Sequence, residues 1–386
     1  MSALRPARLA VAVSVMSLAA AGVMAGTGPA IAQSTRPAHS TRPAHSTNPA
    51  PGATPFTTNG ALLGVAAAAA NSAWAVGYSG SFQSPETLIA HWNGESWARV
   101  TTPKPAAGQV TAVTSVSAGD AWAVGFTGPL TDPHTLIEHW NGRAWSGVAS
   151  PGPIGGTLNG VAMSARSGWA VGSTSAGQPL ILRWDGRSWT QVAAPSYPTG
   201  ATLSSVVSTG VNTAWAAGEG DLSGQISGIL MRWNGRSWTY VTFPGGGAYQ
   251  DISGLAAAPS GTTAAVGFDA GADDVPLSMR WNGKAWQPLS VSAGTGSGLN
   301  GMTFAPGGAV WAVGASASPA SERTLIMRWS GRAWTQVVSP DSGDNDQLYA
   351  VTFASASNGW AVGYDGSFSS VTTRTMILHW NGKAWN

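Results

Sequence analysis

The 386-residue chain has no cysteine. That excludes disulfides, thiolate metal sites, cysteine nucleophiles and a lipid-modified cysteine anchor. Charge is also scarce: Asp, Glu, Lys and Arg make up 9% of residues, too few to cover the outer faces of long helices or a coiled coil. Apart from an apolar run at the start, no stretch approaches the ~20 residues needed to span a bilayer. What the chain does have is glycine, 51 of them, and 20 tryptophans. Glycine at this density disfavours helix, and so many indoles need a packed interior.

Residues 1–32 read as a secretory signal peptide. Arg5 and Arg8 precede an apolar run from Leu9 to Met24, and Ala30-Ile31-Ala32 offers a small-x-small cleavage site. The expected destination is extracellular or cell-envelope associated, with no integral membrane segment after cleavage. Without Arg5 and Arg8 the chain carries 17 basic and 17 acidic side chains, which removes the usual electrostatic case for nucleic-acid binding. Residues 33–55 contain the near-repeats STRPAH, STRPAH and STNPAP and read as a disordered linker. His39 and His45 belong to this duplicated hexamer.

Residues 56–386 repeat one unit seven times, near 61–103, 109–151, 157–195, 202–244, 251–291, 298–340 and 347–386. Each copy carries Trp-Ala-Val-Gly or a variant, then His/Arg-Trp-Asn-Gly-x-x-Trp or a variant. The glycine closing the first motif falls at Gly77, Gly125, Gly172, Gly218, Gly267, Gly314 and Gly363, at spacings of 46 to 49. Short β-type runs at this period are the mark of propeller blades. Three tryptophan slots per copy would need 21, and Ala264 in copy five is the single gap. The expected fold is all-β, a monomeric seven-bladed β-propeller of four-stranded antiparallel blades.

In copy two, strand a is expected at 110–116, b at 121–126, c at 135–140 and d at 143–148. Asn141-Gly142 between c and d suits a two-residue type I′ turn, in which both positions need positive φ. Trp140 and Trp145 then share one face and pack against the next blade. Strand a should be innermost, because one of its columns, Gly64, Ala112, Gly160, Ser205, Gly254, Gly301 and Ala350, holds nothing larger than Ser. The third-strand column of His91, His139, Arg183, Arg232, Arg280, Arg328 and His379 reads as inter-blade packing or cation-π contact.

With these motifs in place, the chain resembles secreted actinobacterial seven-bladed propellers with WAVG and HWNGxxW repeats. It looks like a distant relative of the Asp-box propellers of sialidases and photosystem II assembly factors. The hairpin Arg183-Trp184-Asp185-Gly186-Arg187-Ser188-Trp189 is similar to an Asp-box but lacks its leading Ser. The kelch double glycine and the WD40 Gly-His and Trp-Asp pairs do not recur across the copies, so likeness to kelch propellers extends to blade architecture only. The resemblance implies fold more than activity.

Alternating strand direction puts the b–c and d–a loops on one face, where length varies, and the short a–b and c–d turns on the other. Recognition is expected on the variable face. It holds most acids, including Glu86, Glu219, Asp221 and Asp365, whereas the c–d turns carry the basic residues Arg143, Arg187, Arg236, Lys284, Arg332 and Lys383. Tyr78, Phe126, Phe268 and Tyr364 leave strand b toward the variable face, where aromatic rings can stack on sugars. With Glu219, Asp221 and Asp365 they form the candidate ligand site. No cofactor is expected beyond a structural calcium ion, for which Asp269, Asp273 and Asp274, or Asp341, Asp344 and Asp346, are candidates.

Catalysis finds little support. His134 is the one histidine outside the linker and the repeat slot, so no His-based triad or multi-His zinc site can be assembled. A sialidase-like arginine cluster would have only Arg323 and Arg374 to draw on, and a galactose-oxidase-like copper site would need Cys. The expected function is non-enzymatic binding of an extracellular glycan, cell-wall polymer or protein. The alternative is a polysaccharide hydrolase or lyase using loop carboxylates.

Overall fold

The computed structural model describes residues 56–386 except 103–106, 211, 223–224, 246–248, 271–274, 318–320, 342–344 and 367–372. The expected signal peptide and linker lie outside the described residues. The chain forms seven antiparallel sheets with strands in the order a-b-c-d; six are four-stranded and the seventh is a three-stranded a-b-c sheet. Each hydrophobic cluster between sheets joins consecutive copies, and two join copy seven to copy one, one of them through Trp360 and Val362 against Leu62 and Trp97. The fold is a seven-bladed β-propeller, and none of the described residues is helical.

Blade two shows how sequence sets local structure. Its strands are Gly108–Ser117, Asp120–Thr127, His134–Trp140 and Trp145–Gly147. The first three match expectation closely. The outer strand is shorter than the expected 143–148, because the c–d turn is not type I′. Gly142 has φ 91, yet Asn345 is the one described non-glycine residue with positive φ, so Asn141 is not left-handed. Instead, the Asn141 side-chain oxygen accepts from the N–H groups of Arg143 at 2.9 Å and Ala144 at 3.1 Å. The loop takes four residues, closed by the Asn141 N–H donating to the Ala144 carbonyl at 3.3 Å. Asp185 and Ser330 use their side-chain oxygens in the same way. The column therefore selects a side-chain acceptor. Trp140 and Trp145 remain a cross-strand pair, as expected.

The periodic glycine has a steric origin. Strand a bulges between Val110 and Ala112 where it pairs with strand b, and beside this bulge a Cβ on Gly125 would overlap the Gln109 carbonyl oxygen. Gly77 meets Ala61 and Gly363 meets Gln347 in the same way. The small column of strand a is explained differently from expectation. A Cβ on Gly64 would lie 3.1 Å from the Ala112 Cα, and one on Gly160 3.1 Å from the Ser205 Cα. Bulk is excluded by the neighbouring inner strand as well as by the axis.

Between blades, the strand-b tryptophan of one blade packs on both hairpin tryptophans of the next. Trp74 meets Trp140 at 4.8 Å, tilted, and Trp145 at 5.0 Å, edge to face. Trp215 repeats this with Trp281 and Trp286 at 4.8 and 5.1 Å. Burying one such ring contributes about 4–6 kcal/mol at most, from ~150–250 Å² at ~25 cal/mol per Å². The ladder breaks at Ala264, where Trp334 of blade six donates its indole N–H to Ser278 Oγ at 3.1 Å. Cation-π contacts thread the same interfaces: Arg183 lies 5.4 Å from the Trp169 ring and 5.6 Å from that of Trp233.

Ring closure uses both ends of the described chain on one strand, Arg374–Trp380. At its C-terminal half, His379 and Asn386 exchange backbone hydrogen bonds at 2.9 and 3.0 Å, and Trp380 bridges Trp385. At its start, the Thr375 N–H donates to the Thr58 carbonyl and the Gly60 N–H to the Thr373 carbonyl, both at 2.9 Å. Pro55 occupies the sequence slot of Pro103, Pro151 and Pro195, which leads to the expectation that residues 52–58 lie beside the truncated strand; 52–55 fall outside the described residues, while Thr58 and Asn59 occupy that place. Trp360 against Trp92 and Trp97, at 5.8 and 6.1 Å, completes the last interface.

Candidate functional site: the loop face and the channel mouth

The seven inner strands enclose a cavity of about 430 Å³ along the axis. At each bulge the extra residue of strand a lines it, and several tie one blade to the next. Thr111 Oγ1 donates to the Leu158 carbonyl at 2.6 Å, Asn159 Nδ2 to that of Leu203 at 3.0 Å and Asn300 Nδ2 to that of Leu348 at 2.8 Å. These hydrogen bonds hold the scaffold of the loop face rigid.

Where the channel opens toward the loop face, blades four and five bring together Glu219, Tyr249, Asp251 and Ser253. The Tyr249 hydroxyl donates to Glu219 Oε2 at 3.0 Å, and Ser253 Oγ donates to Asp251 Oδ2 at 2.5 Å. Asp251 is 3% exposed, and its other oxygen has no hydrogen-bond partner. Burial, reinforced by the nearby Glu219 charge, pushes its carboxyl above the ordinary carboxylate range. Across the mouth, Tyr78, Tyr349 and Tyr364 cluster around Ala61. Desolvation holds their hydroxyls protonated, well above the usual tyrosine range.

The aromatic residues of the expected ligand site are mostly buried. Tyr78, Phe126 and Tyr364 are buried, and Phe268 is half-buried, 6.1 Å from the Tyr249 ring and in contact with Gly298. Each of the four lies within strand b, paired with strand a, and the three buried rings present no free face for stacking. Glu219 occupies the same strand-b slot and is likewise half-buried. Asp221 anchors its loop through its backbone, its N–H donating to the Gly200 carbonyl at 2.9 Å. Asp365 sits opposite Arg374 in the b–c ladder of blade seven.

Of the calcium candidates, Asp273, Asp274 and Asp344 lie outside the described residues. Asp269 accepts from Gln250 Nε2 at 2.8 Å, and Asp341 receives both of its contacts, at 3.1 and 3.2 Å, from Arg323. Asp346 is fully buried. Among the described residues, no group of three or more His, Asp or Glu is arranged to hold a metal ion.

The side chains that the loop face does expose are others. Phe82 and Leu130, on the b–c loops of blades one and two, and Ile154, on the following d–a loop and 74% exposed, form an apolar sector. Backbone contacts tie these loops together: Ala107 bridges Glu86 and also accepts from the Gly128 N–H at 2.8 Å, and the Gly155 N–H donates to the Pro133 carbonyl at 2.9 Å. The acidic sector of Glu219, Asp221, Asp269 and Asp341 belongs to blades four to six. The signal for the apolar sector was a hydrophobic residue inside a Gly/Pro/Ser loop, at Gly80-Ser81-Phe82, Gly128-Pro129-Leu130 and Pro153-Ile154-Gly155.

Fold and site thus define a seven-bladed propeller with variable loops around a channel mouth. No protein-family model matches the chain, and no curated protein matches it. Among the solved structures similar to this chain are two propellers. YCF48 from Cyanidioschyzon merolae is 16% identical with a TM-score of 0.53, covering 83% of this chain and 97% of its own. The β-propeller domain of the Trilobed protease from Pyrococcus furiosus, described as having an open velcro topology, is 9% identical with a TM-score of 0.54, covering 84% and 97%. At these identities the likeness is one of fold. No helix among the described residues is long and apolar enough to cross a membrane.

Proposed function

We propose that this chain is a secreted, non-enzymatic binding propeller that uses its loop face to hold an extracellular protein or glycan. The observation that carries the reading is the make-up of that face: exposed Phe82, Leu130 and Ile154 on the loops around blades one and two, and carboxylate-bearing loops on blades four to six. Exposed apolar side chains rimmed by polar loops on a rigid scaffold are the usual make-up of a recognition surface. The rigid bulge ring below means that little ordering entropy is lost when a partner docks.

A hydrolase or lyase is the second reading, and Asp251 beside Glu219 favours it, because a carboxyl raised by burial next to a second carboxyl is the kind of pair that acid-base catalysis on a sugar uses. Against it stands the burial of Asp251, which is 3% exposed. An array of glycans, cell-wall polymers and secreted proteins, followed by turnover assays on each hit, separates the two. Binding without product, lost in Phe82→Ser/Leu130→Ser/Ile154→Ser, supports the first. Product formation abolished by Asp251→Asn or Glu219→Gln supports the second and overturns the first.

A further inference from the structure

We propose that the opposite face, made of the a–b and c–d turns, is a second binding surface, for a linear polyanion carrying repeated phosphate groups. The sorting of charge carries the inference. Six of the seven c–d turns present a basic side chain, Arg166 adds one from an a–b turn, and Arg183, Arg232, Arg280 and Arg328 lie one strand position inside the turns. These eleven cations share the face with three carboxylates, Glu95, Asp120 and Asp185. Asp120 is already taken by His139 at 2.9 Å. Loop-face Arg323, by contrast, is neutralised by Asp341. Charges kept for solubility alone would not separate by sign between two faces of one disc.

The chemistry of the cations points to oxyanions. Nine of the eleven are arginine, whose planar fork pairs with phosphate through two parallel hydrogen bonds. Part of the set is held in place before any ligand arrives. Arg183 lies between the indoles of Trp169 and Trp233, and Arg232 between those of Trp215 and Trp281, with its buried Nε unpartnered. The turn residues are fixed through the backbone by the Asn141-type side-chain acceptors, and Arg166 and Arg187 sit on contacting turns.

A flexible polymer suits this surface better than a bilayer or a duplex. The large exposed apolar side chains, Phe82, Leu130, Ile154 and Val275 on the loop side and Tyr240 and Val338 along the outer strands, are all away from the turns, so the turn face has no anchor to insert among lipid chains. A straight duplex would meet only a chord of the ring, whereas a flexible chain can follow it.

The test is binding of long-chain inorganic polyphosphate by the protein across a salt series, beside phosphatidylglycerol vesicles and duplex DNA at equal phosphate. Arg143→Gln/Arg187→Gln/Arg236→Gln/Arg332→Gln is compared with loop-face Asp221→Asn. The expected result is polyphosphate binding that weakens tenfold or more in the quadruple variant, with the slope of log K against log salt shallower by about 3, at ~0.7 per phosphate contact. Asp221→Asn should leave the slope unchanged. Should the quadruple variant not fold, each single variant is expected to lower the slope by about 0.7. No polyphosphate binding, an unchanged slope in folded variants, or tighter binding per phosphate to vesicles or DNA would overturn the proposal.

Discussion

Glu138 is expected to make this propeller less stable as pH rises, and to do so by a measurable amount. It lies on strand c of blade two, two residues before Trp140, where the other blades carry Ala90, Leu182, Met231, Met279, Met327 and Leu378. Strand alternation turns it with Leu136 and Trp140 toward blade one, whose Trp74, Val76 and Ile89 form the interface. It is 4% exposed and one carboxylate oxygen has no partner. Desolvation pushes its pKa from 4.5 to about 7. Because the folded-state pKa is raised, the folded protein binds the proton more tightly than the unfolded chain does. Stability is therefore lost between about pH 4.5 and 7 and levels off above. Linkage gives a penalty of about 1 kcal/mol at pH 5 and about 3 kcal/mol at pH 8. Asp251 shifts in the same direction, so the useful quantity is a difference between proteins. Urea melts of the wild type and Glu138→Met at both pH values should show the variant gaining about 2.5 kcal/mol more at pH 8 than at pH 5. A gain that is the same at both, or larger at pH 5, would refute the reasoning.

Three further outcomes follow from the packing. Trp145→Ala should destabilise by about 3–5 kcal/mol in denaturant melts while leaving loop-face binding intact once folded, since its ring is buried against Trp74. Arg232→Ala should cost about 1–2 kcal/mol more than Arg280→Ala, because Arg232 stacks on Trp215 and Trp281 whereas Arg280 faces Ala264; equal losses would remove cation-π contact from the account. Deleting residues 33–50 should leave the melting temperature near that of the wild type, whereas deleting 33–60 should lower it, because the second removes the Thr58 and Gly60 contacts to the last strand.

The repeat made the architecture legible. Seven glycines and 20 tryptophans at fixed offsets mark every blade, because a glycine at the bulge and an indole at each interface are required in all seven. The turn type was misread because Asn-Gly serves two turn classes, and the Asp185 and Ser330 substitutions held the clue: both keep a side-chain acceptor, and neither suits two left-handed positions. The site was less legible for the opposite reason. Asp251 and Glu138 each occur in one copy, in columns otherwise filled by different residues, so a reading built on what repeats passes over them. The burial of Tyr78, Phe126 and Tyr364 is less legible, because a sequence shows where a strand points but not how much covers its end. Ile154 and Leu130 lie in loops that no repeat constrains.

The central claim is that recognition belongs to the b–c and d–a loops. Amide hydrogen exchange of the protein with and without the partner recovered from the array tests it most directly, because exchange reports each loop separately. Protection around Phe82, Leu130 and Ile154 and around the loops of blades four to six, with the c–d turns unchanged, is the predicted result. Protection confined to the c–d turns, or to the outer strands, would contradict the account.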